Sequence, residues 1–186
     1  MGYITHQLSL IIFQSTMLNN NFTEGFHPTS KCWIYQSSRT LTSAESAEAE
    51  IALINFAHEW TAHKLDLKST GKVLLNRFFV LVVDESLNPA SGCSIDTSVK
   101  FIREMENHFN ISLLDRTVLL FEKNEKLFEV QLSQLNEKIL SGEIQSNMVY
   151  FDNSISSLSE MKNNWKIQVS KSWIAERYKM NSSFVN

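Results

Sequence analysis

The sequence contains few of the residues that break or cross-link a chain. Among its 186 residues there are five glycines, two prolines and two cysteines. So little glycine and proline argues against long disordered linkers. Cys32 and Cys93 form neither a CxxC pair nor the spacing of a zinc site. We therefore expect two reduced thiols, no disulfide and a cytoplasmic location.

Runs of one charge and long apolar runs are also missing. The net charge is -3 and the pI is about 6.0, with lysines and arginines scattered along the chain. A nucleic-acid-binding protein usually gathers basic residues to neutralise phosphates, so no nucleic-acid partner is expected. The apolar run at residues 8–13 is too short to cross a bilayer and follows no basic segment, so we expect no membrane partner.

The common catalytic and nucleotide-binding motifs are absent as well. Neither G-x-S-x-G nor G-x-G-x-x-G occurs, and residues 68–72, KSTGK, lack the spacing of a phosphate loop and precede a predicted strand. His58 and His63 are five residues apart. On a helix that separation turns them about 140° away from each other, so they cannot share a metal ion. We expect no metal and no cofactor.

The composition indicates one globular domain, with 43% hydrophobic and 20% charged residues. Residues 17–30 are polar, and residues 1–30 are predicted to be a poorly ordered tail. Within it, residues 1–16 are interpreted as an over-called extension, with Met17 as the natural start. The domain is expected over residues 31–178, followed by a frayed end at 179–186.

The order of the predicted elements indicates an α/β fold with a mixed central sheet and helices packed on it. Residues 73–83 are predicted to be the central strand, because 78–83 are apolar at every position, as in strands covered on both faces. A capping box of Thr42 and Glu45 predicts the start of the preceding helix. Alternating strand and helix favours a parallel βαβ unit, and a hairpin around residues 123–126 makes the sheet mixed.

Two helices flank the central strand in this prediction. The first is expected to end near His63 and to bury a stripe of residues at helical spacing, which Leu53 and Trp60 widen. The stripe consists of Ala47, Ile51, Ile54, Ala57 and Thr61. The second is expected to begin at Ser94 as its N-cap.

The strongest candidate for a site is the loop from the central strand into the second helix. Asp84 ends that strand, and in open α/β sheets ligands bind at the carboxyl ends of strands. Small residues let backbone amides approach a ligand closely, and the start of a helix favours an anion. The predicted ligand-binding residues are Ser91, Gly92, Ser94, Asp96 and Arg77.

Three interpretations of this junction stay open. In the first, Cys93 is a nucleophile, because the start of a helix favours a thiolate, and His63 and Asp84 are its catalytic partners. In the second, which leads, the loop binds a small anionic ligand or a protein partner and Cys93 only packs. In the third, Ser94 and Asp96 cap the helix and the protein is a scaffold without a ligand.

The position of Arg77 depends on whether the strand is continuous. An arginine in a largely apolar strand needs a partner, which we expect to be a carboxylate. His63 and Arg77 would join the site at Asp84 only if a bend at Asn76 and Arg77 split the strand into a hairpin. Nothing in the sequence bears on the oligomeric state.

Several segments together resemble a small bacterial family of unknown function over about residues 31–175. They are Trp33-Ile34-Tyr35-Gln36, Trp60-Thr61-Ala62-His63, Asn76-Arg77-Phe78, Val83-Asp84-Glu85, Ser91-Gly92-Cys93-Ser94-Ile95-Asp96, Val149-Tyr150-Phe151-Asp152-Asn153 and Ser172-Trp173. Members often carry the label "ABC transporter ATPase". The chain has no Walker A motif and no ABC signature, so the resemblance implies no ATPase activity and supplies no catalytic residue.

Overall fold

Three antiparallel sheets and the helices around them make up the part of the chain that the computed structural model describes, residues 22–86 and 88–180. The strands are β1 (Lys31–Gln36), β2 (Thr61–Ala62), β3 (Leu65–Asp66), β4 (Lys68–Leu74), β5 (Phe78–Asp84), β6 (Val118–Lys123), β7 (Lys126–Gln131), β8 (Val149–Phe151) and β9 (Lys166–Gln168). The helices are α1 (Ser43–Glu59), α2 (Gly92–Phe109), α3 (Leu135–Leu140), α4 (Leu158–Asn164) and α5 (Trp173–Tyr178). The α/β class is confirmed, whereas the predictions for residues 1–21 and 181–186 lie outside the described ranges.

The first sheet has the order β1-β5-β4, and each of its pairings is antiparallel. The strand predicted over 73–83 is a hairpin instead, because Leu75 and Asn76 have φ of 55° and 51° and the Arg77 N–H closes the turn onto Leu74 O at 2.9 Å. β5 inserts between β1 and β4. These two strands run in the same direction, but the predicted parallel pairing is wrong, because each bonds to β5.

β5 is the central strand, and it is buried at each of its seven positions, as its apolar sequence predicts. Its side chains alternate between two layers. Phe79 and Leu81 pack with α1 and α2. Phe78 packs with Leu120 and Phe151 of the second large sheet, which is formed by β6 to β9 and is called the second sheet below. The far face of the second sheet packs with α3 and α5. The fold therefore stacks four layers, in the order helices, sheet, sheet and helices. One part of the core fills each of the three interfaces between them.

α1 packs on β4 through a face that only partly matches the one predicted. The buried residues of α1 are Ser46, Ala49, Leu53 and Ala57, so Leu53 and Ala57 of the predicted stripe are confirmed. Ile51 and Ile54 are 61% and 47% exposed, and Ala47 is exposed too. A Cβ on Gly71 of β4 would lie 2.8 Å from the Leu53 Cβ, so the helix approaches the strand more closely than a side chain there permits. Leu53 and small side chains therefore face the sheet, whereas Ile51 and Ile54 do not.

The ends of the two long helices follow local signals only in part. The capping box of Thr42 and Glu45 is confirmed. α1 ends at Glu59 rather than near His63, because the chain turns there into the small β2–β3 hairpin. The N-cap of α2 is Ser91, so the prediction of Ser94 as the cap is wrong.

The second sheet has the order β7-β6-β8-β9. The predicted hairpin around 123–126 is confirmed, with Asn124 and Glu125 at φ of 51° and 63°. β6 pairs with β8 only at two positions, Phe121 with Tyr150 and Glu122 with Val149. Beyond them the two strands separate, which leaves a gap in the sheet.

The described part of the predicted tail packs on the domain. Phe22 and Phe26 contact the core between the two sheets. Ser30 O accepts from the Leu158 N–H at 2.8 Å, and Pro28 O accepts from the N–H of the next residue of α4 at 2.8 Å. The folded unit therefore begins before residue 31.

Candidate functional site

Asp84, a predicted catalytic residue, anchors the segment before β1. Its carboxylate is 3% exposed and accepts from Lys68 Nζ at 2.9 Å, from the His27 N–H at 3.3 Å and from the Ser86 N–H at 3.1 Å. Lys68 Nζ also donates to Gly25 O. The hydrogen bond from Lys68 is the main reason that the pKa of Asp84 lies well below its ordinary value. Asp84 is thus occupied by protein groups that hold the preceding segment in place.

At the start of α2, an anion would be held by the backbone amides of residues 92–95. Two of these four amides are already bonded within the protein. The Ser94 N–H donates to Ser91 Oγ at 3.2 Å, and the Ile95 N–H donates to Ser91 O at 3.0 Å. Gly92 is exposed, and a Cβ added to it would meet no atom within 4 Å. The junction is therefore an open, capped helix start, and its role in anion binding stays a prediction.

The residues predicted to act with Asp84 lie apart. Cys93 and Asp96 are exposed on the first turns of α2. His63 is exposed in the turn of the β2–β3 hairpin, with φ of 52°. Within the described ranges, no hydrogen bond joins the side chains of Cys93, His63 and Asp84. The nucleophile hypothesis therefore has no base in contact with the thiol, and it too stays a prediction.

Arg77 lies at the opposite end of β5 from Asp84. Its guanidinium is buried, pairs with Glu129 of β7 and donates from Nε to Ser37 O at 3.1 Å. The expected carboxylate partner is thus confirmed. A bend does split the strand that was predicted to be continuous, at residues 75 and 76, but it leaves Arg77 at the far end of the hairpin, so Arg77 does not join a site at Asp84.

A cavity of about 220 Å³ opens where β6 and β8 separate. Its floor comes from both sheets, and its rim comes from the chain between α2 and β6, the chain after β8 and the start of α5. The lining residues are Ile34, Gln36, Leu113, Asp115, Arg116, Val118, Leu119, Leu132, Tyr150, Phe151, Asn153, Ser154 and Trp173. The lining thus combines an apolar interior with a few polar groups, as is typical of small-molecule sites.

A network of hydrogen bonds holds the two separated strands at the base of this cavity. The amide of Gln36 donates to Val118 O at 3.3 Å and accepts from Asn153 Nδ2 at 3.0 Å. Asn153 Oδ1 in turn accepts from Trp165 Nε1 at 3.0 Å. The Gln36 side chain reaches from β1 and lies between β6 and the segment after β8. Its amide bonds both of them where a direct backbone hydrogen bond would otherwise join them. The network fixes the width of the cavity, because each amide is bonded at both ends.

Tyr150 places a buried hydroxyl on the cavity wall. The residue is 4% exposed, and its hydroxyl oxygen accepts from Trp173 Nε1 at 3.2 Å. Burial raises the pKa of Tyr150 to about 12, so the hydroxyl keeps its proton at neutral pH. No acceptor for that proton is found among residues 22–86 and 88–180. The hydroxyl therefore accepts from Trp173 and still has a proton that it can donate to a group in the cavity.

Asp115 and Arg116 carry the charges of the cavity rim. Arg116 is exposed, and its Nη1 lies 3.5 Å from Asn153 O. Asp115 Oδ1 accepts from both the N–H and the hydroxyl of Thr117, at 2.7 Å and 2.6 Å. These bonds lower the pKa of Asp115, so its carboxylate is ionised at neutral pH. The rim thus offers one fixed negative and one positive group.

The sequence contained only weak signals for this cavity. Gln36, Tyr150, Asn153 and Trp173 all fall in segments that carry the family resemblance. A polar residue at or just beyond the end of a short apolar strand, as at Gln36 and Asn153, was the available hint. Nothing in the sequence indicated that the two residues would meet, because 117 positions separate them.

Neither a metal cluster nor a membrane-spanning helix is found in the described part of the chain. No group of three or more histidine, cysteine, aspartate or glutamate residues there is placed to hold a metal ion. No helix there has the length and apolar character needed to cross a membrane. Comparisons of the chain with models of known protein families, with curated proteins and with solved structures found no match.

Proposed function

We propose that the protein binds a small organic molecule in the cavity between β6 and β8. The observation that carries the proposal is the Tyr150 hydroxyl, which is buried on the cavity wall with a proton that no described group accepts. A ligand oxygen or nitrogen in the cavity would accept that proton. The free thiols Cys32 and Cys93 accord with a cytoplasmic protein, and we place ligand binding in that compartment.

The geometry of the surroundings supports a site that exists before the ligand arrives. Gln36 and Asn153 hold the cavity open through bonds to Val118 O and to Trp165. A pre-formed site loses little conformational entropy on binding. The volume of about 220 Å³ lies below the roughly 300–1,000 Å³ of drug-sized sites, so the ligand is a small metabolite.

Saturation-transfer NMR with mixtures of small molecules tests this function. The probes are small carboxylic acids, amines, alcohols, sugars and amino acids. Ser154 is exposed on the rim, so Ser154→Trp blocks the cavity without disturbing the core. We expect at least one probe to bind the wild-type protein and the control Ser141→Trp, altered at the end of α3, but not to bind Ser154→Trp.

A second pair of variants tests the group that carries the proposal. Tyr150→Phe removes the hydroxyl and is expected to lower the affinity for the probe by about 1 kcal/mol, which is roughly fivefold in Kd. Tyr35→Phe removes another buried tyrosine hydroxyl, which does not line the cavity, and should leave affinity unchanged. If no probe binds, or if Ser154→Trp binds as well as the wild-type protein, the cavity is not a ligand site.

A further inference from the structure

The charged groups of the cavity define the chemistry of its ligand more narrowly. Asp115 and Arg116 are the only charged residues among those that line it. They are neighbours in the chain, both line the cavity and they have opposite charges, so the rim carries a positive and a negative group. A ligand that matches both needs an anionic group and a cationic group a few bonds apart.

Arg116 is available to bind an anion. No carboxylate pairs with its guanidinium in the described ranges, where its one hydrogen bond is the long contact to Asn153 O. A guanidinium has five N–H donors in a planar fork that matches a carboxylate. Most of these donors therefore remain for a ligand.

Asp115 is available to bind a cation. Its Oδ1 is fixed by the two donors of Thr117, whereas its Oδ2 accepts no hydrogen bond from the described part of the chain. The Thr117 bonds hold the carboxylate in one orientation, so little side-chain entropy is lost on binding. A ligand that carried only an anion would meet this carboxylate as a like charge, which is unfavourable.

The interior of the cavity is suited to an apolar group. Leu113, Leu119, Leu132 and Trp173 line it together with the hydroxyl of Tyr150. A cavity of about 150 Å³ is known to hold benzene. The cavity here is about 220 Å³, so it can hold a branched aliphatic or phenyl side chain together with part of a polar head group.

We propose that the ligand is a free α-amino acid with an apolar side chain. Its carboxylate pairs with Arg116, its ammonium pairs with Asp115, and its side chain enters the apolar interior. Tyr150 donates its hydroxyl proton to the ligand carboxylate. This inference rests on the proposed function, because it requires the cavity to be a ligand site.

Isothermal titration calorimetry with three related probes tests the assignment. L-leucine carries both charges, isocaproate lacks the ammonium, and isopentylamine lacks the carboxylate. We expect L-leucine or L-phenylalanine to bind at least about tenfold more tightly than isocaproate and than isopentylamine, because each truncated probe loses one charge-assisted hydrogen bond.

Charge-removing variants identify which group contacts which end of the ligand. Asp115→Asn is expected to weaken the binding of L-leucine about tenfold and to strengthen that of isocaproate, because it removes a like charge from beside the carboxylate. Arg116→Gln is expected to weaken the binding of L-leucine and of isocaproate about tenfold and to strengthen that of isopentylamine. A merely structural effect of either variant would weaken all three probes alike. Glu104→Gln and Arg103→Gln, exposed on α2, are the controls and should change nothing.

The outcomes separate this inference from the function beneath it. Isocaproate binding as tightly as L-leucine would overturn the zwitterion assignment and leave a carboxylate-binding cavity. Binding of other small molecules in the NMR panel, with no response to amino acids, would also overturn it while the proposed function stands. If no probe of any class binds, both proposals fail together.

Discussion

Replacing Asp84 by alanine should destabilise the protein by about 2 kcal/mol without changing ligand binding. The carboxylate is buried and accepts three hydrogen bonds. Lys68 is 42% exposed, so its share is that of a surface pair, at most about 1 kcal/mol. The backbone donors of His27 and Ser86 bond a charged acceptor, which is worth about 1.5–3 kcal/mol where water cannot replace it. His27 and Ser86 are both exposed, so each of these bonds counts only in part, and the three bonds together contribute about 2 kcal/mol.

Urea denaturation measures this loss. For a slope of about 2 kcal/mol/M, a loss of about 2 kcal/mol lowers the unfolding midpoint by about 1 M. Asp96→Ala is the control, because Asp96 is exposed and should change stability by less than about 0.5 kcal/mol. Equal midpoints for Asp84→Ala and Asp96→Ala would refute the role of Asp84 as an anchor.

The same variant separates an anchoring role from a catalytic one. Asp84 lies six positions along β5 from Phe78, the register partner of Gln36, which places it about 20 Å from the cavity end of the strand. Because the folded-state pKa of Asp84 is depressed, its contribution is present above the ordinary pKa of 3.8 and is lost as the pH falls below it. The gap in stability between the wild-type protein and Asp84→Ala should therefore narrow in acid.

Three further predictions test the packing and the exposed groups. Gly71→Ala should cost about 1–3 kcal/mol in thermal unfolding, because the added Cβ lies 2.8 Å from a side-chain carbon of α1; an unchanged midpoint would mean that α1 shifts freely. The side-chain carboxyl of Glu45 should titrate in NMR with a pKa of about 2, which is lowered mainly by the hydrogen bond from Arg39. The contribution of Glu45 to protein stability is therefore present above about pH 4.5 and is lost toward pH 2. A titration midpoint near 4.5 would contradict the bonds from Arg39 and Thr42. Ellman's reagent should label Cys93 alone in the folded protein, because Cys32 is 2% exposed and burial raises its pKa to about 12; two fast thiols would show that the core opens.

Features that depend on neighbours in sequence could be predicted from the sequence. The capping box of Thr42 and Glu45 and the hairpin turn at residues 124–125 each depend on a few consecutive residues. The burial of β5 follows from its unbroken apolar run. In these cases the chemistry that determines the structure lies inside one short segment.

Features that depend on a distant segment could not be predicted. The helical period of α1 fits two faces, and the stripe with Ile51 and Ile54 is the more hydrophobic one. Gly71 helps to decide between the faces, because without a side chain it lets the backbone and Cβ of Leu53 come close to β4. The antiparallel pairing of β4 with β5 could not be predicted either. Leu75 and Asn76 adopt the left-handed backbone conformation and so turn one apolar run into two strands.

The candidate site was missed because it arises where backbone pairing stops. A site at the carboxyl end of a strand is expected in a parallel sheet, and that expectation does not apply to an antiparallel one. In this fold the opening comes from the early end of the β6–β8 ladder, where backbone groups need other partners. The Gln36 side chain, from the other sheet, satisfies one such backbone group, Val118 O. The side-chain hydroxyl of Tyr150 accepts from Trp173 and keeps a proton to donate. A gap that the protein holds open with its own amides, instead of closing with two more backbone bonds, costs stability that a bound ligand can restore.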